Sequence, residues 1–268
     1  MNRDNGYGVA AIEGAFGRAA QEGRAALVAY LTAGYPTPEA TPGLVAALQA
    51  GGADLIELGV PFSDPVADGP AIQRASQRAL EAGMTPEGCM ALAAALRADG
   101  IAAPLVLMGY YNPILSYGVG AYAARCAEAG VDGLIVPDLP PEEAGPLREA
   151  CMARGLALVY LVAPTSSPER LAHIAAETSG FLYVVSRLGT TGEGHDPGEA
   201  LARQLEAARR VARTPVAVGF GIARAETARA LGQLADGVIV GSAIVERAPQ
   251  GPEAVRAFVG ELRAALGR

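Results

Sequence analysis

The chain has 268 residues, 51% of them apolar, and a net charge of −7. That length suits one α/β barrel with a sizeable core, and the charge argues against nucleic acid or an anionic membrane as the main partner. All 21 basic side chains are arginine, so the chain cannot form a lysine imine with a carbonyl substrate or hold pyridoxal phosphate covalently.

In chain order, helical spacing over residues 9–21 precedes a first strand-like run at 25–33, and helical pattern returns at 38–50. Leu55, Ile56, Leu58 and Val60 form a short apolar run between Gly51-Gly52 and Pro61-Phe62-Ser63-Asp64-Pro65, the pattern of a buried parallel strand. The next connection, 69–100, is long enough for two helices broken at residues 83–86. Six more strand-like runs follow at 104–111, 133–138, 156–163, 181–186, 215–220 and 237–240. Segments rich in Ala, Glu, Arg and Leu separate them, with apolar positions three and four apart. Eight strands with helical crossovers predict a single (β/α)8 (TIM) barrel over residues 1–268, carrying an extra N-terminal helix. The Ala-Gly turns at 50–54 and 129–133 read as helix C-caps with left-handed glycine. The N-terminus has no apolar signal region and no stretch suggests a membrane span, so a cytoplasmic protein is expected. His173 and His195 are too few for a three-histidine metal site, and Cys89, Cys126 and Cys151 are too far apart for a Cys-x-x-Cys motif.

The chemistry-bearing residues concentrate after the second strand. Glu57 lies inside an apolar strand, where a carboxylate needs a partner or a raised pKa. Asp68 follows on a proline-rich loop, so a dry carboxyl and a wetter one could share acid–base work. Two plainer readings stand beside this: Glu57 pairing with an arginine, and Asp68 capping the helix that starts at Gly69-Pro70. Glycine recurs in the last three strand-to-helix connections: 186–194, 219–222 and 241–243. Loops after strands seven and eight are the usual phosphate site of this fold, and backbone N–H groups can hold a dianion without lysine. The alternative is that these glycines only permit tight turns. The long connections after strands two and six read as lids.

Residues 57–73 (Glu-Leu-Gly-Val-Pro-Phe-Ser-Asp-Pro-Val-Ala-Asp-Gly-Pro-Ala-Ile-Gln) resemble the signature of the tryptophan synthase α chain family. Tyr-Leu-Thr-Ala-Gly-Tyr-Pro (30–36), Met-Gly-Tyr-Tyr-Asn-Pro (108–113) and Gly-Phe-Gly-Ile (219–222) agree in order and spacing, over about residue 12 to the C-terminus. The resemblance implies a (β/α)8 lyase that cleaves indole-3-glycerol phosphate to indole and glyceraldehyde 3-phosphate. It also implies an α2β2 complex whose β chain carries pyridoxal phosphate, with no cofactor in this chain. By the same resemblance Glu57, Asp68 and Tyr183 are the catalytic group, and Tyr30 and Tyr110 lie near the indole. Gly192, Phe220, Gly221, Gly241 and Ser242 match the phosphate cradle, and Thr191 matches a threonine that meets the aspartate on closure. Without a lysine imine, protonation of indole at C3 can itself supply the electron sink, with an ionised Asp68 holding the indole N–H. A stand-alone indole-glycerol phosphate lyase, a phosphosugar isomerase on the same barrel and a non-enzymatic phosphate-binding barrel remain open at this point.

Overall fold

The computed structural model describes residues 7–186, 197–219 and 221–267. The barrel strands are Ala26–Thr32, Leu55–Gly59, Leu105–Met108, Gly133–Ile135, a fifth in two pieces (Ala157–Val159 and Leu161–Val162), Leu182–Val185, Val216–Gly219 and Gly237–Val240. Each pairs in parallel with the next, and the first pairs with the eighth.

The fifth strand differs from the single run expected at 156–163. Its first piece pairs with the fourth strand and its second with the sixth. At the break, the Tyr160 N–H donates to Thr178 Oγ1 at 3.1 Å, while its carbonyl accepts from the Tyr183 N–H at 3.1 Å. The ring therefore closes across Tyr160. The third and fourth strands also end sooner than expected. Tyr111 opens a helix, Tyr111–Tyr117, and Asp138 turns its carboxylate to the Tyr111 N–H at 3.0 Å instead of extending the fourth strand. Pro137, between that strand and Asp138, has no N–H for a ladder.

The N-terminal helix, Val9–Gln21, buries Ile12, Phe16 and Ala19 against inward-facing Val28, Leu55, Val106, Val159 and Phe181. It plugs the N-terminal end of the barrel, and burial of a Phe or Ile there contributes about 1.5–3 kcal/mol each. Small strand residues make room for the plug: a methyl on Gly237 would lie 2.6 Å from the Phe16 ring.

The two turns read from sequence as helix C-caps, at 50–54 and 129–133, carry a second device at the same end, and Asp236 repeats it before the eighth strand. Asp54 accepts the Leu27 N–H at 2.8 Å and pairs with Arg24. Asp132 accepts the Leu105 N–H at 2.8 Å and pairs with Arg97. Asp236 accepts the Val216 N–H at 2.9 Å and pairs with Arg209. Each aspartate, at the start of an even-numbered strand, ties down the start of the strand before it. That end holds the fold together and leaves the opposite rim for chemistry.

Candidate active site

Glu57 occupies the middle of the second strand, only 1% exposed and in register with Tyr30 on the first. Among the described residues it makes no ion pair with arginine, and its Oε2 has no hydrogen-bond partner. Burial, helped by the nearby Asp68 charge, pushes its pKa up to about 8. A carboxyl in that setting holds its proton at neutral pH.

Asp68 does not cap the following helix. Gly69 holds that position for Pro70–Glu81, and no side chain caps it. The Asp68 Oδ2 instead accepts the Tyr110 hydroxyl at 3.2 Å, and Tyr110 Oη accepts the Ala67 N–H at 3.0 Å. Gln73 Nε2 donates to the Asp68 carbonyl at 2.9 Å, and the Tyr110 ring packs on Phe62 with centroids 5.2 Å apart. Burial raises the Asp68 pKa to about 6, opposed by the Tyr110 hydrogen bond. The two carboxyl groups thus titrate apart, the strand residue above the loop residue.

Both open into a cavity of about 270 Å³ at the C-terminal rim. Tyr30 and Tyr183 form polar-tipped walls, and Ile72, Met108 and Ile239 supply apolar surface. Gly221, Gly241 and Ser242 line another side. Tyr110 is not among the lining residues; it stands behind Asp68 as its clamp. Tyr183 leans over the seventh strand, where a methyl on Gly219 would lie 2.5 Å from its Oη. Burial raises the pKa of both wall phenols well above the ordinary value, reinforced mainly by Asp68 at Tyr30 and by Glu57 at Tyr183.

The glycine-lined side exposes backbone more than side chain. Gly221 has φ of 72°, a left-handed conformation that favours glycine. Ser242 opens the helix Ser242–Arg247; the Ile244 and Val245 N–H groups bond the Gly241 carbonyl, so the first two helical residues, Ser242 and Ala243, are the ones placed to offer N–H donors. No described residue lining the cavity is cationic, so backbone and hydroxyl donors are what it offers an anion. Thr191, Gly192 and Phe220 lie outside the described residues, as does the connection 187–196. Among the described residues no group of three or more His, Cys, Asp or Glu side chains could hold a metal ion, and no helix is long and apolar enough to cross a membrane.

Sequence reasoning missed Ile72, Met108, Ile239 and Glu246 as lining residues. The signal was present for Met108 and Ile239, which lie in apolar runs whose alternate residues face inward.

A family profile described as tryptophan synthase alpha chain matches residues 16–265. The tryptophan synthase alpha chain of Roseiflexus sp. (strain RS-1) is 51% identical over 246 residues, covering 90% of this chain and 94% of that protein. That of Burkholderia multivorans is 47% identical over 260 residues, covering 95% and 96%. Among solved structures, a tryptophan synthase from M. tuberculosis superposes with a TM-score of 0.88 at 39% identity, covering 96% of this chain and 98% of that one. In this family pyridoxal phosphate belongs to the beta chain, the partner that alpha-chain identity implies. The chain belongs to the tryptophan synthase alpha chain family, the lyase subunits that cleave indole-3-glycerol phosphate in tryptophan biosynthesis.

Proposed function

We propose that Glu57 and Asp68 carry the lyase reaction as an acid–base pair, with Tyr183 beside the reacting carbon. The observation that supports this most is the buried Oε2 of Glu57, without a hydrogen-bond partner among the described residues, in a cavity shared with Asp68. A neutral Glu57 gives its proton to indole C3, producing an indolenine that accepts the electron pair of the breaking carbon–carbon bond. The resulting carboxylate takes the proton of the glyceryl hydroxyl, whose carbon becomes the aldehyde. Glu57 ends as it began, and the products are indole and glyceraldehyde 3-phosphate. Asp68, ionised, stabilises the indole N–H as positive charge develops.

Tyr30 and Tyr110 flank the indole end, Tyr110 acting through Asp68. Gly192, Phe220, Gly221, Gly241 and Ser242 receive the phosphate, and Thr191 meets Asp68 when the lids close. The single domain spans residues 1–268, works in the cytoplasm and assembles with the beta chain as an α2β2 tetramer. Docking on the same rim would activate the lyase only through a preference for the closed state. Incubating the isolated chain with indole-3-glycerol phosphate and measuring released indole tests the reaction. Repeating it with the beta chain, for wild type and Thr191→Val, tests the coupling; equal activation of both would remove Thr191 from that role.

A further inference from the structure

Thr32 and Gly59 are partners in the first and second strands, one inward-facing step above the partners Tyr30 and Glu57. The Tyr30 side chain leans up towards them. Its Oη lies 3.2 Å from Thr32 Oγ1, and a methyl on Gly59 would sit 2.1 Å from the Tyr30 Oη and 2.6 Å from its Cζ. Tyr30 is 4% exposed and Thr32 is buried, and Tyr30 lines the cavity, so a side chain at Gly59 could be accommodated only by displacing the phenol. On the ring's other flank, a methyl on Gly241 would be in ordinary contact at 3.5 Å. A hydroxyl pair on one side and a missing side chain on the other therefore fix where this wall of the cavity stands.

We propose that Thr32 and Gly59 seat Tyr30 and thereby set how large an aromatic ring the cavity accepts, so that they are specificity-determining residues for the aromatic leaving group. The inference rests on reading the Glu57–Asp68 cavity as the lyase site. Adding a methyl to Gly59 drives the phenol out of its seat and into the cavity, which narrows it. Removing the phenol oxygen vacates the space over Gly59, and the ring can settle back. Thr32→Val loosens the same seat by removing the hydroxyl partner while keeping the side chain's shape. One methylene group in an apolar pocket discriminates by about 10–200-fold, so a displacement of this wall is readable.

The experiment compares kcat/KM for indole-3-glycerol phosphate with that for analogues methylated at each free benzo carbon in turn. For at least one analogue, Tyr30→Phe should raise the methylated-to-parent ratio about tenfold. Thr32→Val should move it the same way by less. Gly59→Ala should lower it, and Gly59→Ala with Tyr30→Phe should return it towards the wild-type value. A purely structural role would depress both substrates together and leave the ratio unmoved. Ratios within about twofold of wild type for every analogue in Tyr30→Phe and Thr32→Val would overturn the proposal, even should Gly59→Ala not fold. Absence of wild-type turnover on the parent substrate would instead overturn the lyase reading itself, which separates the two failures.

Discussion

Tyr110 and Asp68 are joined by a 3.2 Å hydrogen bond, and the same phenol oxygen takes the Ala67 N–H at 3.0 Å. One side chain from the rim above the third strand thus holds the loop after the second strand and aims its carboxylate. Tyr110→Phe should lower kcat/KM by roughly 10- to 100-fold, the range for a lost hydrogen bond to a charged group. Because that bond holds the Asp68 pKa down, its loss should also move the acidic limb of the pH profile upward from about 6. An unmoved limb with full activity would show that the clamp has no part in positioning Asp68.

The reaction needs Asp68 ionised and Glu57 protonated, so kcat/KM should follow a bell with limbs near 6 and 8. The limbs belong to the carboxyl pair as much as to either residue. Asp68→Asn should cut activity by at least ~10²-fold and abolish the acidic limb. It should also lower the alkaline limb, because the Asp68 charge is one cause of the raised Glu57 pKa. Residual activity with both limbs intact would contradict this assignment.

Glu57 has a second consequence, in stability. Its folded pKa, about 8, lies above the ordinary carboxyl value, so the folded chain binds this proton more tightly than the unfolded chain. The destabilisation from ionising it is absent below the unfolded pKa of about 4.3, grows with pH, and is complete above the folded value. Glu57→Gln should therefore melt above wild type at pH beyond about 8, with the difference shrinking towards pH 4. Thermal unfolding across pH measures it; a constant offset at all pH would mean that burial of the charge is not its origin.

At the other end of the cavity, Gly221→Asp or Ser242→Asp should weaken indole-glycerol phosphate and glycerol phosphate together while sparing free indole. A carboxylate at a backbone anion cradle repels the dianion, and at Gly221 the left-handed backbone adds strain. Calorimetric titration with glycerol phosphate is the readout. Unchanged affinity would remove these loops from the phosphate site.

The barrel was legible because its signal is local: short apolar runs alternate with helical spacing, and the eighth strand, Gly237–Val240, was read to the residue. What sequence could not give was set by partners distant in the chain. The break at Tyr160 depends on Thr178 Oγ1 capturing its N–H, and the early end of the fourth strand goes with Asp138 capping Tyr111. Asp54 and Asp132 read only as parts of turns, and Asp236 drew no reading, because the N–H groups they hold lie 20 to 27 positions earlier. In the cavity, Glu57 and Asp68 stood out through the cost of a carboxyl in an apolar strand and through the family signature. The Tyr110 clamp and the seat over Gly59 did not, since each joins residues separated in the chain by at least one whole helix.

Whether Glu57 moves the protons of the cleavage is measured by the turnover of Glu57→Gln beside its affinity for indole-3-glycerol phosphate. Glutamine keeps the side chain's size and its place in the cavity but cannot exchange a proton; the chain has no lysine, and no histidine is among the described residues that line the cavity. Indole release should fall by at least ~10²-fold while substrate still binds with a Kd near that of wild type. Near-wild-type indole release by Glu57→Gln would contradict it.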